Sequence, residues 1–294
     1  MKACIFPGQG SQFPGMGYDL YKSSTNAKKL FALANKIVGF NIAEIMFKGT
    51  EEELKQTNVT QPAIFIHSVI LSECLNIYPE MVAGHSLGEF SALVAAQSIS
   101  FKDGLKLVLK RAESMHLACQ TCESTMAAII GLDGDKIEKY CKEQTGIVVP
   151  ANYNSPSQIV ISGERIAIEN LCKTLHEIGA KRTVILPVGG AFHSPIMNSA
   201  KESLKDAINK IQFNQPICPI YQNVSAKGVT NENELKENLI EQLTAPVKWF
   251  QTIEQMVQDG ALEFFEIGPG NVLSGLNRRI NREIKCSKAQ LLNG

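Results

Sequence analysis

VAGHSLGEFSALVA, residues 82–95, sets a serine at the join of two different apolar patterns. MVAG (81–84) is a short apolar run that reads as a buried strand, and Leu87 to Ala96 reads as a helix. Gly84 and Gly88 remove bulk on either side of Ser86, so strand and helix can close on each other. Strand, tight turn and helix in so few residues mark an α/β crossover, and the rest of the chain repeats the alternation.

ACIF (3–6) reads as another buried strand, ended by Pro7 and Gly8. PGQGSQFPGMG (7–17) is a loop, and helical patterns follow around 26–38 and 62–77. In 101–120, Leu105, Val108, Leu109, Ala112, Met115 and Cys119 share one helical face, with Lys106, Lys110 and Glu113 opposite. Arg111 falls on the flank of the apolar face, near Leu107, Met115 and Ala118. An arginine turned from the solvated stripe needs an anionic partner.

Residues 123–190 have their own rhythm. Strands at 125–130, 147–153, 158–162 and 182–188 enclose helices ended by Gly146 and Gly179. The order βαββαβ is that of a ferredoxin-like unit. The expected fold is therefore an α/β core with a parallel sheet, formed by 1–122 and 191–294, with 123–190 inserted as a ferredoxin-like subdomain. The core resumes with helix 195–209, strand 219–224, helices 231–243 and 246–259, strand 263–268, the turn GPGN (268–271) and a helix to about 280. The polar tail from about 284 is expected to be loose.

A length of 294 residues with 44% hydrophobic and 20% charged side chains suits one large domain with a sizeable core. Twenty-nine basic residues balance twenty-nine acidic ones, which argues against a general nucleic-acid or membrane-surface binder. No secretory signal or membrane-length apolar run is visible. Of eight scattered cysteines only Cys119 and Cys122 form a CxxC, with no second pair or nearby histidine to complete a metal site. Free thiols in a reducing cytoplasm are the default, and no metal is expected.

Gly84-His85-Ser86-Leu87-Gly88 matches G-x-S-x-G, in which a serine is exposed on a strained strand-to-helix turn. The Leu87 N–H, at the helix start, points into the same space, where a developing oxyanion would be stabilised. A plain serine N-cap packed between glycines gives the same letters. A nucleophilic serine needs a base. His67, His116 and His176 lie within helices, where core or surface roles are the rule. His85 adjoins the serine and points away from it or towards substrate. His193, in the glycine-bearing loop VGGAFHSPIM after a strand, is placed as a base would be, or caps the helix starting at Pro195. Gln9, in FPGQGSQ (6–12), is the candidate for a second oxyanion N–H. A phosphate loop fits less well, because the glycine spacing matches neither common phosphate motif.

Together these pieces resemble the malonyl-CoA:acyl-carrier-protein transacylase family over nearly the whole chain. FPGQGSQ, TQPAIF (60–65), AGHSLGEFSAL (83–93), Arg111, ANYNSPSQIVISG (151–163), GAFHS (190–194), APVKW (245–249) and EIGPGNVL (266–273) occur in the family's order and spacing. The resemblance implies an α/β-hydrolase-like core with a ferredoxin-like insertion. It implies Ser86 as acyl-accepting nucleophile, His193 as base, and the N–H groups of Gln9 and Leu87 as oxyanion hole. Arg111 would hold the malonate carboxylate, with His85 also at the substrate. Gln242 would orient His193 through its main-chain carbonyl, making a Ser–His dyad without an acid. Phe192 resembles the malonyl-selecting version of its motif; methylmalonyl-selecting relatives usually carry a smaller residue.

No cofactor is implied; malonyl-CoA and the phosphopantetheine thiol of an acyl carrier protein are the substrates. The resemblance points to a cytoplasmic monomer without membrane or nucleic-acid partners. The opening MKACIFPGQGSQ, GLKLVLKR and ANYNSPSQIVISG look more like the discrete, trans-acting enzyme of a polyketide synthase than its fatty-acid-synthesis counterpart. An acyl-carrier-protein acyl hydrolase of the same family is a further alternative, against which Arg111 argues.

Overall fold

The computed structural model describes residues 1–75 and 77–290. The chain starts with β1 (Lys2–Phe6), then runs through α1 (Tyr18–Ser23), α2 (Thr25–Val38), α3 (Ile42–Lys48), α4 (Glu51–Lys55) and α5 (Thr57–Leu75). β2 (Met81–Gly84), α6 (Gly88–Ala95) and α7 (Phe101–Cys119) follow. A second set comprises β3 (Ser124–Ile130), α8 (Gly134–Glu143), β4 (Val148–Ser155), β5 (Gln158–Glu164), α9 (Arg165–Glu177) and β6 (Arg182–Ile185). A 3₁₀ turn (Pro195–Met197) leads to α10 (Asn198–Asn209), β7 (Ile220–Tyr221), β8 (Gly228–Val229) and α11 (Glu232–Glu241). The last elements are α12 (Trp249–Gln258), β9 (Glu263–Glu266), α13 (Val272–Ile280) and β10 (Lys285–Lys288).

The result is a mixed α/β fold with two sheets. One has the order β10-β9-β1-β2-β7-β8 and is parallel except for β8, which pairs antiparallel with β7. β1 lies between β9 and β2, buried on both faces, which is why ACIF is a continuous apolar run. α5 runs deep in the structure, with Ala63, Ile64, Phe65, Ile66, Val69 and Ile70 all inside the main core.

The other sheet has the order β4-β5-β3-β6, every neighbouring pair antiparallel. Period-two alternation divides β3 between two cores. Ala127 and Ile129 pack with Ile137, Ile168, Leu171 and Leu175 of α8 and α9. Met126 and Ala128 join the main core instead. The small sheet is stitched to the segment before α12 at Val247, whose N–H donates to the Ala151 carbonyl at 2.8 Å and whose carbonyl accepts the Tyr153 N–H at 2.9 Å.

Phe6 pairs with Gly84, so β1 and β2 end side by side, with β7 next to β2. The loops that follow them leave one edge of the sheet together. In open α/β sheets that carboxyl edge is where ligands bind. The elbow is compressed there: a Cβ on Gly84 would overlap the backbone of Gly88, and one on Gly88 would overlap the Phe6 carbonyl oxygen.

Several expectations are corrected. Within the tail expected to be loose from 284, β10 pairs parallel with β9 from Lys285 to Lys288, while 291–294 lie outside the described residues. Ile284 and Cys286 pack on the core beside β9 while Lys285 and Lys288 stay exposed, and such lysines blunt an edge strand. α1, α3 and α4 were not anticipated. α4 is announced by a capping box, in which Thr50 and Glu53 satisfy each other's backbone N–H groups. The strand expected over 219–224 spans Ile220–Tyr221 only, because Gln222 and Asn223 turn into the site.

Candidate active site

Ser86 sits at φ 53°, in the left-handed region that a side chain with a Cβ rarely adopts. Neighbouring side chains hold both of its backbone polar groups. Its N–H donates to Asn223 Oδ1 at 2.7 Å, and its carbonyl accepts from Gln242 Nε2 at 3.0 Å. The turn thereby presents Oγ at the N-terminus of α6.

His193 arrives from the loop after β6, also with positive φ at 58°. Its Nδ1 faces two main-chain oxygens, those of Gln242 at 2.9 Å and Ala245 at 3.2 Å. Carbonyls only accept, so Nδ1 carries the proton and Nε2 is the free acceptor. Nε2 lies 2.7 Å from Ser86 Oγ. Burial, then the positive charge of Arg111, push the His193 pKa down from 6.5 to about 3, so the resting imidazole is neutral.

Arg111 reaches the same oxygen. It is 1% exposed, donates from Nη2 to Ser86 Oγ at 2.9 Å and from Nη1 to Gln61 Oε1 at 2.7 Å, and its buried Nε has no partner. The expected anionic partner is not in contact with it; both acceptors are neutral. Burial lowers its pKa to about 10, opposed by the field of Glu89. Glu89 is itself fully buried, and its pKa rises to about 7. Its oxygens are taken up by the Asn223 N–H at 2.8 Å and Gln222 Nε2 at 3.1 Å, not by the histidine.

A cavity of about 530 Å³ opens over these groups, lined among others by Gln9, Ser86, Leu87, Arg111, Phe192 and His193. Neither the Gln9 nor the Leu87 N–H has an acceptor among the described residues. Phe192 is buried to 9% exposure at the cavity wall. His85 points its Nε2 at Asn154 Oδ1, 2.8 Å away, and not at Ser86. With Gln9, Asn152 and Leu186 it lines both this cavity and a second one of about 480 Å³ that also meets Asn154, Gln158 and Arg279.

All eight residues singled out in the sequence thus border the site or hold one that does. Gln61, Glu89, Asn154 and Asn223 were missed. Gln61 lies within TQPAIF and Asn154 within ANYNSPSQIVISG, stretches already marked by the resemblance. Asn223 carried no signal: YQNV read as strand, and its contact with Ser86 spans 137 positions.

The profile of the acyl transferase domain matches residues 3–292. The chain is 42% identical over 294 residues to a malonyl CoA-acyl carrier protein transacylase of Staphylococcus aureus (strain MW2), covering 99% of this chain and 96% of that one. The structure of a malonyl CoA-acyl carrier protein transacylase from Coxiella burnetii superposes with a TM-score of 0.95 at 36% identity, over 98% of this chain and 93% of that one. A malonyl-transacylase solved in complex with a type II PKS acyl-carrier protein matches with a TM-score of 0.94 at 38% identity, over 98% and 95%.

Proposed function

The chain belongs to the acyl transferase domain family, and on that premise we propose that Ser86 and His193 are the working pair of its reaction. The enzyme is a malonyl-CoA:acyl-carrier-protein transacylase. It moves malonyl from coenzyme A to a carrier protein, and the two thioesters are its substrates.

The geometry supports the following steps. Ser86 Oγ attacks the thioester carbonyl while its proton passes to His193 Nε2, 2.7 Å away. The imidazolium is supported by two carbonyl oxygens at Nδ1, which do the work an acid does in a triad. The oxyanion takes the N–H groups of Gln9 and Leu87; losing one such donor costs about 3 kcal/mol of transition-state stabilisation. Collapse breaks the C–S bond, and the coenzyme A thiolate leaves with the proton from Nε2. The phosphopantetheine thiol then attacks malonyl-Ser86, giving its proton to Nε2, and Ser86 leaves as the hydroxyl. The kinetics are ping-pong.

Arg111 carries this reading. A guanidinium that is 1% exposed, bonded to the nucleophile and to Gln61, and lacking any anionic contact among the described residues, is suited to receive a carboxylate. Malonyl offers one; acetyl leaves the arginine unpaired. Arg111 also argues against the acyl-carrier-protein acyl hydrolase of the same family. Intact mass after incubation with malonyl-CoA tests the reading: a malonyl adduct forms and disappears in Ser86→Ala. Rapid release of free malonate without carrier protein defines a hydrolase instead, and an adduct that persists in Ser86→Ala refutes the assignment.

We read the four-stranded antiparallel unit, 123–190, as ferredoxin-like and inserted in a hydrolase-like core; its strand order and two helices on one face support this. For the pathway we retain extender supply to a polyketide synthase, on the resemblance of the opening residues, with fatty-acid synthesis as the competing assignment. Transfer rates to a carrier protein of each kind separate them. A cytoplasmic location belongs to the same reading. No single helix among the described residues is long and apolar enough to cross a membrane, and all eight cysteines are free thiols.

A further inference from the structure

The nucleophile's backbone is held in a conformation it does not favour, and the group that holds it lies in neither the oxyanion hole nor the acid–base pair. Asn223 is 1% exposed and uses both ends of its amide on the elbow. Oδ1 accepts the Ser86 N–H at 2.7 Å, and Nδ2 donates to the Gly84 carbonyl at 2.6 Å. One planar side chain thus spans the two peptide groups that flank His85, across the tightest part of the turn.

Asn223 is itself fixed from behind. Its own N–H donates to Glu89 Oε2 at 2.8 Å, while Glu89 Oε1 accepts from Gln222 Nε2 at 3.1 Å. Gln222 is tied in turn to the Leu235 carbonyl and to Asn238 Nδ2. Glu89 stands in the first turn of α6, where a carboxylate is favoured by the helix dipole. The carboxylate therefore joins the helix that follows Ser86 to the segment that reaches back over it. A left-handed non-glycine residue persists only when its surroundings over-determine it, and these bonds do so.

We propose that Asn223, anchored by Glu89, is the positioning residue that keeps Ser86 in its left-handed conformation and so aims Oγ at His193. This rests on Ser86 being the nucleophile. Without the amide, the Ser86 N–H and the Gly84 carbonyl lose their partners and the turn relaxes toward ordinary φ, carrying Oγ away from Nε2. Asn223 lines neither cavity at the site, so its loss is expected to fall on the chemical step and not on substrate affinity.

The test is single-turnover acylation of the full chain by malonyl-CoA, with Ser86→Ala run alongside. Asn223→Ala is expected to slow maximal acylation about 100-fold, the scale of a displacement of roughly 1 Å at a reacting atom, while half-saturation by malonyl-CoA stays within about threefold. A maximal rate within about threefold of the parent, or a loss confined to half-saturation, overturns the proposal.

Asn223→Asp decides the matter if the alanine variant melts early. The titratable residues around position 223 are Glu89 and Lys248, each bonded to its backbone, His85, between the two peptide groups it bridges, and, across Ser86, His193 and Arg111. A protonated aspartic acid reproduces the amide's donor and acceptor, whereas the ionised form turns an acceptor on the Gly84 carbonyl. Acylation in Asn223→Asp is therefore expected to fall as pH rises, relative to the parent at each pH; a profile parallel to the parent's overturns the proposal. An adduct persisting in Ser86→Ala sinks the nucleophile assignment instead, which keeps the two failures distinct.

Discussion

Arg111 and His193 converge on a single atom: Nη2 of the one and Nε2 of the other lie 2.9 and 2.7 Å from Ser86 Oγ. The hydroxyl donates a hydrogen bond to the imidazole and accepts one from the guanidinium. A fixed cation beside the base lowers its basicity, and a substrate carboxylate bound to that cation offsets the effect. On the proposed assignment of Arg111 and His193, acyl-group choice and proton transfer are coupled through one hydroxyl.

Arg111→Ala is expected to lower kcat/KM for malonyl-CoA about 100-fold, which corresponds to roughly 3 kcal/mol for a charge-assisted bidentate contact. Acetyl-CoA has no carboxylate to lose, so its rate changes far less and the malonyl-to-acetyl ratio collapses. Parallel initial-rate measurements with the two thioesters check this. An unchanged ratio refutes the carboxylate role.

The acid limb of kcat/KM is expected well below the usual histidine value of 6.5, because His193 is held neutral by burial and by Arg111. In Arg111→Gln the limb moves up toward 6.5, since the cation is gone. A pH–rate profile of each enzyme measures the shift, and coincident limbs contradict it.

Stability follows the same sign. His67, pushed down to about 4 by burial, and His193, down to about 3, are both neutral in the fold. The unfolded chain binds their protons below 6.5 and the native chain does not, so stability rises with pH across that window. The contribution is complete above 6.5 and is lost as pH falls through that window, to about 4 for His67 and about 3 for His193. Melting temperature against pH should show this slope, and it should be shallower in His67→Gln if that variant folds.

Phe192→Ala opens the cavity wall beside the base. The ratio of methylmalonyl to malonyl transfer is expected to rise about tenfold, the scale of one methyl group in a hydrophobic pocket. Competition between the two thioesters with mass readout of the acylated carrier measures it. A ratio that does not move places the α-carbon elsewhere.

Gly88→Ala is expected to cost about 3 kcal/mol or more, because the added Cβ meets the Phe6 carbonyl oxygen, a backbone atom that cannot rotate away. Thermal melting reads the loss. A melting temperature near the parent's means that β1 and the elbow are less tightly packed than described.

What was legible in the sequence was whatever is encoded locally. The strand–turn–helix around Ser86, the buried flank position of Arg111 and the βαββαβ rhythm of 123–190 each rest on spacing within a few residues. The groups that fix the site were illegible for the opposite reason. Asn223 acts on a residue 137 positions away, Gln61 on one 50 away, and nothing beside them in the chain marks the contact. Glu89, two residues before Ser91 and in full view, reads as an ordinary helix-start acid until its burial is seen. The β10 edge strand was lost because its alternation is carried by a single cysteine among lysines and serine.

The stitch at Val247 has a practical corollary for grafting. That residue bonds to β4, and the segment 242–245 just before it presents the two oxygens that hold His193. The boundary of an exchangeable module therefore does not coincide with 123–190 in the primary structure. A chimera that imports the small unit from another acyltransferase must bring 242–247 with it, or the foreign β4 will tug the imidazole's anchor out of true.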